Sequence, residues 1–177
     1  PGDFVGDVMF DVVREAEQRL DDRNATLGRF SVRPGEFVLA TVHRARNTDE
    51  KGHLERIVEM LIRLPVPVIF PVHPRTQQAL RCHGLAERLL ASGRVITEPL
   101  CYLDTLALAR SARRVFTDSG GLQKEAFYLG TPCTTLREET EWVETVALGW
   151  NVLVGTDVER ALATLDLAPP PRIAPGP

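Results

Sequence analysis

The chain has 177 residues, 44% of them hydrophobic and 25% charged, with a net charge of −3. That is enough apolar material for one domain with a real core, and its 21 scattered lysines and arginines form no basic stripe for nucleic acid. No apolar run approaches a membrane span, no leader-like segment opens the chain, and Cys82, Cys101 and Cys133 fit neither a disulfide frame nor a metal-site spacing, so a cytoplasmic protein without membrane or metal is expected.

An amphipathic helix is expected over about 9–23, followed by a polar loop. Residues 1–35 therefore read as a linker helix and loop arriving from a domain upstream. The run 37–42 reads as a buried strand, and Leu54, Ile57, Val58, Leu61 and Ile62 mark the apolar stripe of a helix over 54–64. A strand is expected over 66–72, part of a helix over 84–91, a strand over 94–97 and a helix over 102–111. A strand at 114–117 then runs into a helix over 122–129 that Gly130 closes. The last elements are a strand at 133–136, a helix over 141–148 ended by Gly149, a strand at 151–154 and a short helix near Asp157 capped by Thr156. Alternation of this kind specifies an α/β fold, a Rossmann-like parallel sheet with helices on both faces, spanning 36–167. Residues 168–177 form a proline-rich tail, expected to be loosely attached.

In open α/β sheets ligands sit beyond the carboxyl ends of the strands, and there the polar residues collect. His43 to Asp49 follow the first strand, His73-Pro74-Arg75-Thr76 the second, Glu98 to Tyr102 the third, Asp118-Ser119-Gly120-Gly121 the fourth, and Arg137 to Trp142 the fifth. The fourth group has the build of an anion site. Its glycines admit close backbone approach, the N–H groups of the new helix point at a ligand, and Ser119 adds a hydroxyl. Glu125, within the next two turns, can reach sugar hydroxyls, and phosphate plus sugar points to a nucleotide or nucleotide-sugar. His43 can donate to a diphosphate, move a proton, or cap its loop, and His73 has the same range. Arg44 and Arg46 can fork onto phosphate or remain solvated, while Tyr102, Trp142 and Trp150 can stack on a base or pack. A tight turn is the other use for Gly120 and Gly121. GxSxG, GxGxxG and HExxH are all absent.

At these residues the sequence resembles the non-hydrolysing UDP-N-acetylglucosamine 2-epimerases. The resemblance runs through Val5-Gly6-Asp7-Val8-Met9-Phe10-Asp11, Thr41-Val42-His43-Arg44, Pro71-Val72-His73-Pro74-Arg75, Thr117-Asp118-Ser119-Gly120-Gly121-Leu122-Gln123-Lys124-Glu125, Leu129-Gly130-Thr131-Pro132 and Thr140-Glu141-Trp142-Val143-Glu144. It implies one half of a GT-B pair of Rossmann-like domains, the carboxyl-terminal one, with the amino-terminal domain lying elsewhere. It implies interconversion of UDP-GlcNAc and UDP-ManNAc by elimination and re-addition of UDP, with no cofactor and no metal, in a full-length homodimer. By match, Ser119, Gly120 and Gly121 hold the diphosphate and Arg44 and Tyr102 join them in binding UDP. Glu125 takes the ribose, His43 serves the phosphate side of catalysis, and His73 belongs to a possible regulatory second site. Two departures stand out: Trp142-Val143 where many members have Arg-Pro, and Asp104-Thr105 where many have an aromatic. The other readings are a non-catalytic or split UDP-sugar-binding module and a GT-B glycosyltransferase half-domain.

Overall fold

The computed structural model describes residues 7–20, 23–93, 95–97 and 99–171. Val5, Gly6, Arg94, Glu98 and the tail from 172 onward lie outside the described residues. In chain order the elements are α1 (Val8–Gln18), α2 (Arg23–Phe30), β1 (Val38–Thr41), α3 (Ala45–Asp49), α4 (Lys51–Arg63), β2 (Val68–Pro71), α5 (Pro74–Cys82), α6 (Ala86–Ala91) and β3 (Val95–Thr97). They continue as α7 (Tyr102–Ser111), β4 (Arg114–Thr117), α8 (Gly120–Leu129), β5 (Cys133–Thr135), α9 (Val143–Ala147), β6 (Asn151–Leu153), α10 (Val158–Ala163) and a final 3-10 turn over Thr164–Asp166.

All six strands are parallel, in the order β3-β2-β1-β4-β5-β6. Leu39 of β1 pairs with both Ile69 and Val115. A parallel sheet covered on both faces needs apolar residues at successive positions, and β1 supplies them: Val38 and Ala40 join one core while Phe37 and Leu39 join the other. The first core is closed by α4, α5, α6 and α10 through Leu54, Ile57, Leu80, Leu89 and Ala161. The second is closed by α1, α2, α7 and α8 through Val13, Leu27, Leu106 and Ala126. The chain leaves β1 toward β2 and returns to β1's other side with β4, so the loops after β1 and β4 part and open a crevice at the switch point.

Several element boundaries differ from the sequence expectation. The helix expected over 9–23 ends earlier, at Gln18, and the segment expected as a polar loop after it holds a second helix, α2. Arg19 ends α1 by turning its N–H onto the carbonyls of Ala16 and Glu17. Asn24, Thr26 and Gly28 are weak helix formers, yet α2 forms because Thr26 and Arg29 both donate to Asp104 of α7 at 2.9 Å. The polar residues after β1 and β2 start helices, α3 and α5, rather than remaining loops. Gly84, with φ of +70°, separates α5 from α6. Helix α9 begins at Val143 with Trp142 at its cap, and α10 is capped by Asp157 instead of Thr156, its side chain accepting from the Arg160 N–H at 3.0 Å. Helix α8 begins at Gly120, two residues before expectation, so both glycines lie inside its first turn. Residues 168–171 carry no regular structure.

Helix α1 is fastened at its start. The Asp7 carboxylate caps it, accepting from the Met9 N–H at 2.9 Å, and also accepts from the Tyr128 hydroxyl. Lys124 Nζ lies 3.5 Å away. The Tyr128 hydrogen bond is the main reason the Asp7 carboxyl is held below its ordinary value. A depressed carboxyl contributes stability above its unfolded value of 3.8 that is lost as pH falls through the folded one. Acid titration of thermal stability should therefore show a loss below about pH 4 that Asp7→Asn removes. Leu106 is fully buried in the second core, and Leu106→Ala should cost about 2–5 kcal/mol in chemical denaturation without changing the far-UV spectrum.

Candidate functional site

The site is organised by a carboxylate with no solvent exposure, that of Asp118. It follows β4 directly, where the Rossmann order places it beside the end of β1. A carboxylate removed from water is retained only among donors, and the loop after β1 supplies them. The N–H of His43 lies 3.1 Å from both carboxylate oxygens, the N–H of Arg44 2.9 Å from one, and the Asn47 amide donates to it at 3.0 Å. Asn47 donates also to the Leu136 carbonyl, so the end of β5 is tied to the same point. His43 Nδ1 stands 3.4 Å from Asp118 Oδ1. That contact fixes the ring and leaves Nε2 for the crevice. Asp118 was quoted in the sequence motif with no role of its own; the signal was a carboxylate placed between a buried strand and a helix cap.

Across the crevice, Ser119 caps α8. Its Oγ accepts from the Leu122 N–H at 3.3 Å, which leaves the hydroxyl hydrogen free to donate to a ligand. Neither Gly120 nor Gly121 has a positive φ. A Cβ at Gly121 would meet nothing nearer than Ser119 Oγ at 3.8 Å, and one at Gly120 nothing nearer than Arg44 Nη2 at 3.5 Å. Backbone geometry therefore does not require glycine at either place, and the tight-turn reading falls away. At Gly121 the missing side chain leaves access from the cleft to first-turn N–H groups that no helical carbonyl can satisfy, while Gly120 faces Arg44 and Glu141.

A cleft of ≈ 280 Å³ is lined by His43, His73, Tyr102, Ser119, Gly121 and Glu125, among others. Most of the residues singled out in the sequence thus meet on one surface. Glu125 projects from the second turn of α8, and its burial raises its carboxyl pKa above the ordinary value. The Tyr102 hydroxyl donates to it; that phenol, desolvated and facing a carboxylate, is pushed up to about 12. His73 caps α5, its Nδ1 accepting from the Arg75 N–H at 3.2 Å, while its ring lies 5.8 Å from that of His43.

Arg44 and Gly120 lie on the other side of the α8 terminus, next to a second cleft of ≈ 180 Å³ lined by Arg44, Arg46, Arg137 and Glu138. Arg46 pairs with Glu138 at 2.9 Å, and Arg137 donates to both oxygens of Glu141 at 3.2 and 2.9 Å. Of the three rings considered for base stacking, both tryptophans pack instead: Trp150 is buried, and Trp142 donates its indole N–H to the Gly120 carbonyl at 2.7 Å. Lys124 Nζ lies 4.3 Å from the Trp142 ring centre and donates to Glu144 at 2.5 Å. Buried Gln123 accepts from Thr140 at 2.6 Å and Asn151 at 3.0 Å. Sequence reasoning assigned nothing to Lys124, Gln123 or Asn151, although two consecutive polar residues on the inner side of an apolar helix were a visible signal. Among the described residues no group of three or more His, Cys, Asp or Glu could hold a metal ion, and no helix is long and apolar enough to cross a membrane.

Removing the central carboxylate would strand buried donors. Asp118→Ala should lower the urea midpoint by the equivalent of about 3 kcal/mol, more than the same change at exposed Asp49.

A family model described as UDP-N-acetylglucosamine 2-epimerase matches residues 4–170. A UDP-N-acetylglucosamine 2-epimerase homolog of Methanococcus maripaludis is 43% identical over 91% of this chain and 46% of its own length. The UDP-2,3-diacetamido-2,3-dideoxy-D-glucuronate 2-epimerase of Pseudomonas aeruginosa is 44% identical over 85% of this chain and 41% of its own. The crystal structure of the Methanocaldococcus jannaschii UDP-GlcNAc 2-epimerase in complex with UDP-GlcNAc and UDP shares the fold with a TM-score of 0.85 and 34% identity, covering 93% of this chain and 47% of that one. The chain spans about half the length of the curated relatives it matches. By its sequence and by its fold, this chain belongs to the UDP-N-acetylglucosamine 2-epimerase family.

Proposed function

We propose that this chain is the UDP-holding, carboxyl-terminal part of a UDP-GlcNAc 2-epimerase, with residues 36–167 as the Rossmann-like domain and the preceding helices as the link to a companion amino-terminal domain. The observation that carries this reading is the first turn of α8, which opens without side chains onto a cleft that also holds His43 and Glu125. The relatives are named for two different UDP-sugars. Uridine diphosphate is the part they share, and the site described above is suited to it. The sugar follows the family name, UDP-GlcNAc converted to UDP-ManNAc, as a step in making polysaccharide precursors in the cytoplasm.

The chemistry proposed for the whole enzyme breaks the bond between C1 and the diphosphate oxygen while a base takes the C2 proton. A 2-acetamidoglucal and UDP result. Re-addition of the diphosphate oxygen to C1, with a proton delivered to the opposite face of C2, gives the epimer. This chain's share is the leaving group. Negative charge builds on the diphosphate as C1–O breaks, and the Ser119 hydroxyl, the Gly120 and Gly121 N–H groups and the α8 dipole are fixed toward it beforehand. His43, oriented by Asp118, faces the same oxygens from across the crevice, Arg44 adds charge, and Glu125 accepts from the ribose hydroxyls. Tyr102 borders the nucleoside end of the cleft, and His73 borders it on the β2 side, where it would serve a second ligand. The groups that exchange the C2 proton belong to the companion domain, within a homodimer of the full-length protein.

One other reading keeps the same cleft, a UDP-sugar-binding module with no catalysis of its own. Both readings place UDP in the same cleft and separate only by C2 proton exchange in the complete protein.

Calorimetric titration with UDP tests the shared part. Ser119→Ala and Ser119→Gly should each weaken UDP binding about tenfold, the loss of one hydrogen bond to a charged group. Only the alanine variant should also lose about 1 kcal/mol of stability, because glycine is tolerated at a helix cap. Unchanged affinity in both variants and in His43→Ala would refute the site.

The raised pKa of Glu125 gives a pH test. Glu125 accepts ribose hydroxyls best when ionised, and burial places its protonation above its ordinary value of 4.5. Binding of UDP-GlcNAc, whose diphosphate carries no proton in this range, should weaken as pH falls through that raised value. Glu125→Gln should bind more weakly at neutral pH and show no such acid limb.

A further inference from the structure

The carboxylate of Glu141 occupies a position its local sequence does not explain. A helical Cβ tilts toward the N-terminus of its helix, so a Cβ built on Gly120 probes the space in front of α8. That Cβ would lie 3.5 Å from Arg44 Nη2 and 3.6 and 3.7 Å from the two carboxylate oxygens of Glu141. Glu141 therefore stands over the open first turn of a ten-residue helix. It is held there by Arg137 Nη1, which donates to both its oxygens at 3.2 and 2.9 Å, with Arg44 3.8 Å away. The Arg137 side chain is only 17% exposed, whereas Glu141 is 51% exposed and has solvent to move into. A carboxylate between two guanidinium groups, at the positive end of a helix, fills the place that oxygens of a phosphate would fill.

We propose that Glu141 is a built-in stand-in for the ligand's diphosphate, a specificity-determining residue that raises the threshold for every anion entering the α8 site. The proposal rests on the reading of that site as the diphosphate site. Glu141 accepts from Arg137 and pairs more loosely with Arg44, so both cations have an internal partner. An incoming phosphate meets like charge at contact distance and must displace the carboxylate toward solvent. A ligand anchored elsewhere, through its ribose on Glu125, can do so. Inorganic phosphate, with no such anchor, does so only at higher concentration. Selection for a nucleoside diphosphate then comes from an internal competitor as well as from attractive contacts.

The test compares this chain with Glu141→Gln, which keeps the shape and removes the charge. The probes are UDP, inorganic phosphate as a competitor against UDP, and uridine. The variant should bind UDP about tenfold more tightly, should be inhibited by phosphate at about tenfold lower concentration, and should bind uridine as before, since uridine brings no charge to the site. Thermal unfolding of both proteins checks that the fold is kept. If the wild-type chain binds UDP and the variant binds it equally or more weakly, the proposal is overturned; weaker binding would mean that Glu141 holds the arginines in place for the ligand. If uridine gains as much as UDP, the effect is not one of charge and the proposal also falls. If neither protein binds UDP while both remain folded, the diphosphate site itself is wrong and the proposal goes with it.

Discussion

The crevice depends on one carboxylate kept out of water. Asp118 receives two backbone N–H groups and an amide from the loop after β1, and Asn47 carries the link onward to the end of β5. Without those donors the burial of a charge would be prohibitive; with them, strand ends that diverge at the switch point are held at a set distance. The loop conformation that satisfies Asp118 is also the one that turns His43 and Arg44 toward the start of α8. Structural and functional demands thus converge on a single side chain, and the polar residues opposite α8 are placed by the needs of a residue that does not itself reach the cleft.

The second requirement is that α8 stay still. A helix terminus stabilises a developing charge only if its N–H groups do not have to reorganise when the charge appears. Three fastenings hold it. Trp142 grips the Gly120 carbonyl, Lys124 lies against the Trp142 ring and bonds to Glu144, and the Asp7 carboxylate reaches both Tyr128 and the neighbourhood of Lys124. Lys124 is therefore shared between the cap of α1 and the start of α9. The helix that leads into the domain and the loop after β5 are coupled through one nearly buried cation, and Trp142, with the exposed Val143 after it, packs at this point.

The layout of the fold was legible because parallel strands covered on both faces are written as short, almost purely apolar runs, and Val38–Thr41 and Val68–Pro71 left no competing period. The convergence of His43, His73, Tyr102, Ser119 and Glu125 was legible for a related reason: a parallel sheet sends every strand's carboxyl end to the same edge. Illegible were features set by contacts distant in sequence. Helix α2 exists because Asp104, on α7, accepts from two of its residues, and no local propensity encodes that. Gly120 and Gly121 read as loop residues because glycine is a poor helix former, whereas the structure uses their lack of side chain inside a helix. The role of Asp118 needed the β1 loop to be placed first, and the packing of Trp142 needed Lys124.

The groups that face the α8 site have partners within the chain. Tyr102 already donates to Glu125, and Glu141 already accepts from Arg137. A ligand therefore exchanges partners rather than supplying the first ones, and the free energy of binding is the difference between two satisfied arrangements. A preorganised but fully unpaired cluster of arginines and a buried carboxylate would carry a large desolvation cost and would hold any diphosphate too firmly to release it. The epimerase proposed above would detach UDP from a sugar and return it to the same carbon, and so would have to retain the leaving group through an intermediate and still let the product go. Internal partners that mimic the ligand meet both demands. They keep the donors and acceptors oriented in the resting state, and they are ready to take their places again when the nucleotide sugar leaves.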